Sequence, residues 1–162
     1  MKVYRLKARQ GMNCSVKEAW DFLQDPRNLK KITPKSLDFN ITNDPPARMY
    51  PGTIITYTVR PLFGIKATWV TEITQVNEPE SFIDEQRFGP YSMWHHEHKI
   101  YEGDGETIME DLIHYVVPFG IFGQIANSLI VKSQLRKIFA YRQKVVKELY
   151  GDAKTEVTLE II

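Results

Sequence analysis

Alternation of apolar and polar residues with a period of two, the mark of a half-buried strand, runs through most of the first 117 positions. Val3, Arg5, Lys7 and Arg9 alternate with Tyr4, Leu6 and Ala8, which predicts a strand over 2–10. Ser15 with Glu18 three residues on predicts a capping box, followed by a helix burying Val16, Ala19, Trp20 and Leu23. Asp25-Pro26 ends it, and 28–33 reads as a short second helix. Leu37, Phe39 and Ile41 alternate as a strand, and Thr53 to Arg60 and Ile65 to Val76 follow as two more. Pro61-Leu62-Phe63-Gly64 reads as the turn between them. Phe82 to Ile100 divides at Gly89-Pro90 into a hairpin, and Glu102-Gly103-Asp104-Gly105 turns the chain into a last long strand carrying Met109, Asp111, Ile113, Tyr115 and Val117 on one face.

From about Phe122 the period lengthens. Ile125, Leu129, Leu135, Ile138, Phe139, Arg142, Val145, Val146 and Leu149 recur at helical spacing up to Tyr150, where Gly151 stops the pattern. Such a helix is roughly 40 Å long and can cross a whole sheet. Val157, Leu159 and Ile161 alternate in the tail, which can add an edge strand or stay loose. One sheet of about seven mostly antiparallel strands, two short helices after the first strand and one long terminal helix make an α+β architecture. A curved sheet wrapped on that helix leaves a cavity. Residues 1–150 are expected to form one ligand-binding domain, with 151–162 as a C-terminal tail.

Composition narrows the class. The chain has 162 residues, 43% apolar and 25% charged, as in ordinary globular proteins. A net charge of +1 favours neither nucleic acid nor an acidic substrate, so no nucleic-acid partner is expected. One cysteine, Cys14, excludes a disulfide within the chain. No signal-like run follows Met1, and 116–131 is interrupted by Pro118, Gln124, Asn127 and Ser128, which predicts a cytoplasmic location.

Candidate chemistry concentrates after residue 82. Three of the four histidines fall at 95, 96 and 98. Alternation puts Trp94, His96, His98 and Ile100 on one face, with Met93, His95, Glu97 and Lys99 on the other. If the neighbouring strands pair, Asp84, Gln86, His96, His98, Asp111 and Tyr115 share the concave face with Phe82, Phe88, Trp94, Met109 and Ile113. Buried polar groups must find partners, and a His–carboxylate pair supplies them. Three readings compete: an internal network, a set of polar anchors for a mostly apolar ligand, and a general acid or base built from His96 or His98 with Asp111 or Asp84. His96-x-His98 with Asp111 also offers three metal donors, a spacing that arises often by accident. Cys14 before a helix N-terminus, Gly120-x-x-Gly123, and the row Lys132, Lys137, Lys144 and Lys147 read as a bland thiol, a turn and a solvated face. That row also permits contact with an anionic membrane. Arg142, among apolar positions, either snorkels or pairs with a carboxylate inside.

Phe82-Ile-Asp-Glu-Gln, Gly89-Pro90-Tyr91, Trp94 with His96 and His98, Met109-x-Asp111-x-Ile113-x-Tyr115, Pro118-Phe119-Gly120 and Ile138-Phe139-x-Tyr141-Arg142 together resemble the SRPBCC superfamily of START-like, helix-grip proteins. The likeness is to bacterial members labelled polyketide cyclase-like or cell-division-inhibitor-like, and spans roughly residues 1 to 150. It implies the helix-grip fold and a hydrophobic cavity. Because that fold hosts carriers, receptors, cyclases and regulators, it implies no single activity. The leading expectation is a binder of a small hydrophobic molecule such as a lipid, quinone or polyketide-like aromatic. Trp69, Phe82, Trp94 and Phe139 would form its wall, and Asp84, Gln86, His96, His98, Asp111 and Tyr115 its polar anchors. The alternatives are a cyclase or dehydratase using His96, His98 and Asp111, and a regulatory protein without ligand. No metal or other cofactor is expected, the superfamily not being generally metal-dependent.

Overall fold

A computed structural model describes residues 1–62 and 64–162, with the side chains of all but Leu62 and Ser128. The turn expected at Pro61 to Gly64 includes Phe63, which lies outside the described residues. Strand β1 (Tyr4–Met12) buries Tyr4, Leu6 and Ala8 and exposes Arg5 and Lys7, as its alternation requires. Helix α1 (Val16–Leu23) begins at the expected capping box: the Glu18 N–H donates to Ser15 Oγ at 3.2 Å, and the Ser15 N–H to Glu18 Oε2 at 2.9 Å. Its buried face is Ala19 and Trp20. After Asp25-Pro26 the chain forms two 3₁₀ turns, Pro26–Lys30 and Lys35–Leu37.

The sheet follows: β2 (Asn40–Ile41), β3 (Ile54–Leu62), β4 (Ile65–Asn77), β5 (Ser81–Phe88), β6 (Met93–Gly103), β7 (Glu106–Val116) and, at the end of the chain, β8 (Thr158–Ile161). These strands and β1 form one antiparallel sheet in the order β2-β3-β4-β5-β6-β7-β1-β8. Irregularities between Val70 and Thr71 and between Ile73 and Gln75 break the β4–β5 ladder, and such bulges bend and twist a sheet. The result is an open, curved sheet gripping the long helix, the helix-grip fold.

That helix is one rod in three parts: α2 (Gly120–Ala126), a π turn (Asn127–Val131) and α3 (Lys132–Tyr150). Gly151, at φ 84°, ends it. Leu135, Phe139, Arg142 and Val146 face inward. Two buried clusters result, one linking α1 with β3, β4 and β6, the other linking β1 and β7 with α3.

Several expectations need correction. The alternation at 37–41 yields a strand only at 40–41, because Lys35–Leu37 closes a 3₁₀ turn and Asp38 is left-handed (φ 46°). The expected second helix is a 3₁₀ turn starting at Pro26, where Asp25 caps the Arg27 N–H. For the tail, left open above, the edge-strand alternative holds: it pairs with β1 and brings the sheet to eight strands. The helical row does not all point inward. Ile125 and Leu129 are exposed, as is half of Leu149. Phe88, expected on the concave face, is exposed at the end of β5.

Candidate functional site

Register builds the site. Phe82 pairs with His98 and Asp84 with His96 across β5 and β6, while His96 pairs with Ile113 and His98 with Asp111 across β6 and β7. Alternation then aims Asp84, His96, His98 and Asp111 at the concave side. The two imidazoles lie against one another, 3.7 Å between ring centres and tilted by 34°, with Phe82 stacked on His98 at 4.0 Å.

Each ring bridges the two aspartates. His96 Nε2 is 2.9 Å from Asp111 Oδ1, and its Nδ1 is 3.4 Å from Asp84 Oδ2. His98 Nε2 is 2.8 Å from Asp84 Oδ2. Its Nδ1 comes within 2.9 Å of Asp111 Oδ1 but lacks the alignment of a hydrogen bond. Arg142 reaches in from α3, donating from Nη1 to Asp111 Oδ1 at 3.0 Å and from Nη2 to Met109 Sδ at 3.4 Å.

Burial pushes both carboxyls up, but the positive neighbours win. Arg142 and the two histidines hold Asp111 well below the usual carboxylate range, and His96 and His98 lower Asp84. The rings diverge. Burial, reinforced by the charge on His98, lowers His96. Burial also opposes the charge on His98, but the adjoining Asp111 and Asp84 carboxylates outweigh it and raise its pKa. The cluster thus sets two carboxylates against Arg142 and two histidines whose proton affinities are pushed apart, that of His98 up and that of His96 down.

A cavity of about 210 Å³ opens between the sheet and α3. Trp69, Phe82, Asp84, Trp94, His96, His98 and Phe139 line it. The other three expected anchors do not. Gln86 closes the β5–β6 turn, donating from Nε2 to the Tyr91 carbonyl at 2.7 Å and accepting the Tyr91 N–H at 3.2 Å. Asp111 lies behind the histidines, against Arg142. Tyr115 donates to Asn127 Oδ1 at 3.0 Å, and burial pushes its phenol up to about 12.

The sequence reading missed one wall and one donor. Leu29, Ile32, Leu37 and Met49 come from the segment between α1 and β3 and line the cavity as well. A connecting segment so rich in buried apolar residues was the available signal. Arg142, left open between snorkelling and an inner carboxylate, pairs with Asp111 and, beyond expectation, lines the cavity; among the described residues its Nε, like Trp69 Nε1, is buried without a hydrogen-bond partner. Tyr57 and Tyr91 extend the aromatic wall, Trp69 standing 5.4 Å from Trp94 and 5.6 Å from Tyr91.

Asp84, His96 and His98 bring three donor atoms within 4.8 Å of one another, the one such grouping among the described residues. Those donors already face one another as ion pairs, and Arg142 supplies the positive charge that Asp111 needs. The arrangement therefore suits an internal ionic network better than a cation. Cys14 has no depressed pKa: burial, with the charge of Glu18, pushes the thiol up to about 11, unsuited to nucleophilic work.

The profile of the polyketide cyclase/dehydrase and lipid transport family matches residues 12–140, and the chain belongs to that family. No curated protein matches it. Its fold is similar to that of protein Ms6760 from Mycobacterium smegmatis, with 21% identity over 90% of this chain and 92% of that one at a TM-score of 0.64. It is also similar to TTHA0849 from Thermus thermophilus (14% identity, 89% and 94% covered, TM-score 0.66). The plant major latex-like protein 151 of Panax ginseng shares the fold as well (10% identity, 91% and 97% covered, TM-score 0.67). Membership of this family goes with hydrophobic ligand binding. Among the described residues no helix is long and apolar enough to cross a membrane.

Proposed function

We propose that the protein binds a small, mostly hydrophobic molecule that carries a carbonyl or similar hydrogen-bond acceptor, a quinone or polyketide-like aromatic rather than a plain hydrocarbon chain. One observation carries this reading. Among the residues lining a largely aromatic and aliphatic cavity are Trp69 and Arg142, each with a buried N–H that meets no acceptor among the described residues. Buried donors without partners are costly, and a ligand oxygen would satisfy them. The aromatic wall suits a planar ring system. In this reading His96, His98 and Asp84 face the ligand, while Asp111 acts from behind by holding the histidines and Arg142 in place.

Native mass spectrometry of freshly purified protein, followed by solvent extraction, tests it. A bound or exchangeable conjugated carbonyl compound is expected. A protein that carries nothing, and whose tryptophan emission menadione does not quench, would refute it.

A catalytic reading has one observation in its favour. His96, paired through Nε2 with Asp111 at 2.9 Å, presents its ring to the cavity, the kind of His–carboxylate pair that general acid–base chemistry uses. Turnover of a ligand found by extraction, lost in His96→Asn while binding persists, would establish it.

A further inference from the structure

The first third of the long helix is turned inside out. Its inward positions are Gly123, Asn127 and Val131, while Phe119, Ile121, Phe122, Ile125 and Leu129 are 82%, 68%, 76%, 55% and 72% exposed. This is a held conformation. A Cβ on Gly123 would stand 1.8 Å from the Pro118 carbonyl oxygen, so the helix start is pressed on the strand end in a way only glycine permits. Four residues on, the fully buried Asn127 accepts from Tyr115 at the start of the π turn. The close contact at Gly123 and the bond at Asn127 set the rotation of the segment, and its large apolar side chains point outward. Contiguous exposed apolar surface of this kind marks an interaction site.

Charge selects the partner. Between Asp111 and Glu148 the chain has no acidic residue, while Lys132, Arg136 and Lys137 follow the apolar segment along the same helix, ahead of Lys144 and Lys147, which pair with Glu148 and Asp152. Lys2 shares a surface depression with Phe119 and Gly120. Lys2 and Lys132 both lie over the Tyr4 ring, at 5.0 and 5.8 Å. An apolar face beside a wholly basic stretch is the pattern of an interfacial helix on anionic lipid. A two-fold contact between copies would instead bring these lysines against one another, since such an interface uses the same patch twice.

We infer that Phe119, Ile121, Phe122, Ile125 and Leu129 form a docking surface for an anionic lipid bilayer, inserted at the headgroup boundary and held by Lys132 and Lys137. The inference goes beyond the cavity reading and holds whatever the cavity contains.

Flotation of the full chain with phosphatidylcholine vesicles, with and without phosphatidylglycerol, is the test. Binding to the phosphatidylglycerol vesicles is expected, weakened by added salt and abolished in Phe122→Glu/Ile125→Glu. Removing one charge in Lys132→Gln or Lys137→Gln should weaken it about fivefold each. Thermal melts should show both groups of variants folded, since the altered side chains lie at the surface. Three results would overturn the inference: no binding to anionic vesicles, equal binding to neutral ones, or binding that survives Phe122→Glu/Ile125→Glu. Sedimentation showing a dimer that Phe122→Glu dissolves would also overturn it, by assigning the patch to a second copy of the chain.

Discussion

Arg142 donates to Asp111 at 3.0 Å, and both side chains are buried. The pair ties α3 to β7 and turns a charged residue in the apolar row Leu135, Phe139 and Val146 into part of the core. It also brings the positive charge that lets two aspartates share one small site with two histidines.

Breaking this pair on one side should be costly. Arg142→Met keeps much of the packing of the stem but leaves Asp111 with the histidines alone. Asp111→Asn leaves a buried guanidinium without its counter-charge. Each should lose about 3–5 kcal/mol in urea unfolding. The double variant should lose clearly less than the sum, because neither charge is then left stranded. Additive losses would mean that the pair is not energetically coupled.

Stability should peak near neutral pH, and the two histidines should set the two sides. Both start from about 6.5 in the unfolded chain. The pKa of His98 is raised in the folded protein, so its contribution is complete below about 6.5 and is lost as pH rises through the folded value. His96 is lowered. The unfolded chain therefore takes up its proton first, and stability falls as pH drops from about 6.5 through the folded value. Asp84 and Asp111, both lowered, add a further loss below about 3.8. Melting temperatures across a pH series should show His98→Asn flattening the alkaline side and His96→Asn the first acid step. Identical profiles in all three proteins would contradict this assignment.

Much of this site was legible because strands have a period of two. Once β5, β6 and β7 pair as neighbours, alternation alone brings Asp84, His96, His98 and Asp111 to one side. Helical periodicity is less informative. It put Arg142 in the inward row without saying that Asp111 waits there. It put Ile125 and Leu129 in the same row although Gly123 and Asn127 take the inward positions. A hydrophobic pattern assumes that large apolar groups seek the core, and that premise fails where a surface serves something outside the chain. The wall from Leu29, Ile32 and Met49 has no period at all, because 3₁₀ turns and loops repeat nothing.

The Trp69 indole offers a mild test of the cavity. Trp69→Phe keeps an aromatic wall and removes only the N–H that lacks a partner. Stability should hold or rise slightly, since a buried unsatisfied donor disappears. Affinity for a carbonyl-bearing ligand such as menadione should drop by about 1 kcal/mol, roughly fivefold, as one hydrogen bond is lost. Unchanged affinity would place the ligand oxygen elsewhere, with Arg142 the next donor to examine.

Gly123→Ala separates a tight turn from a tolerant one. The added methyl has no room beside the Pro118 carbonyl, and the contact is with backbone, which cannot swing away as a side chain could. Forced overpacking of this kind costs about 1–3 kcal/mol. The start of the helix should lift, and amide exchange over 120–127 should accelerate while β7 stays protected. Wild-type exchange in this segment would mean that the close approach is relieved without cost.

One carboxylate clasps the start of the tail. Glu106, at the first position of β7, accepts the N–H groups of Lys154 and Thr155 at 2.6 and 2.7 Å, and these bonds lower its pKa. Gly11 makes the space, since a Cβ there would meet Glu106 Oε1 at 2.6 Å and Ala153 Cβ at 2.7 Å. Beyond this clasp, β8 pairs with β1 over Leu6 to Arg9 and adds reciprocal bonds between Arg5 and Ile162. Four residues on a sheet edge have few contacts of their own, so the clasp should decide whether the strand stays docked. Glu106→Gln turns one acceptor into a donor facing a donor, and Gly11→Ala pushes the carboxylate aside. Both should speed amide exchange at 154, 155 and 158–161 and leave exchange in β6 unchanged. Acid should do the same to the wild type, because a carboxyl with a lowered pKa loses its contribution as pH falls through the folded value. If β8 stays protected in both variants, its own ladder to β1 is sufficient and the clasp is incidental.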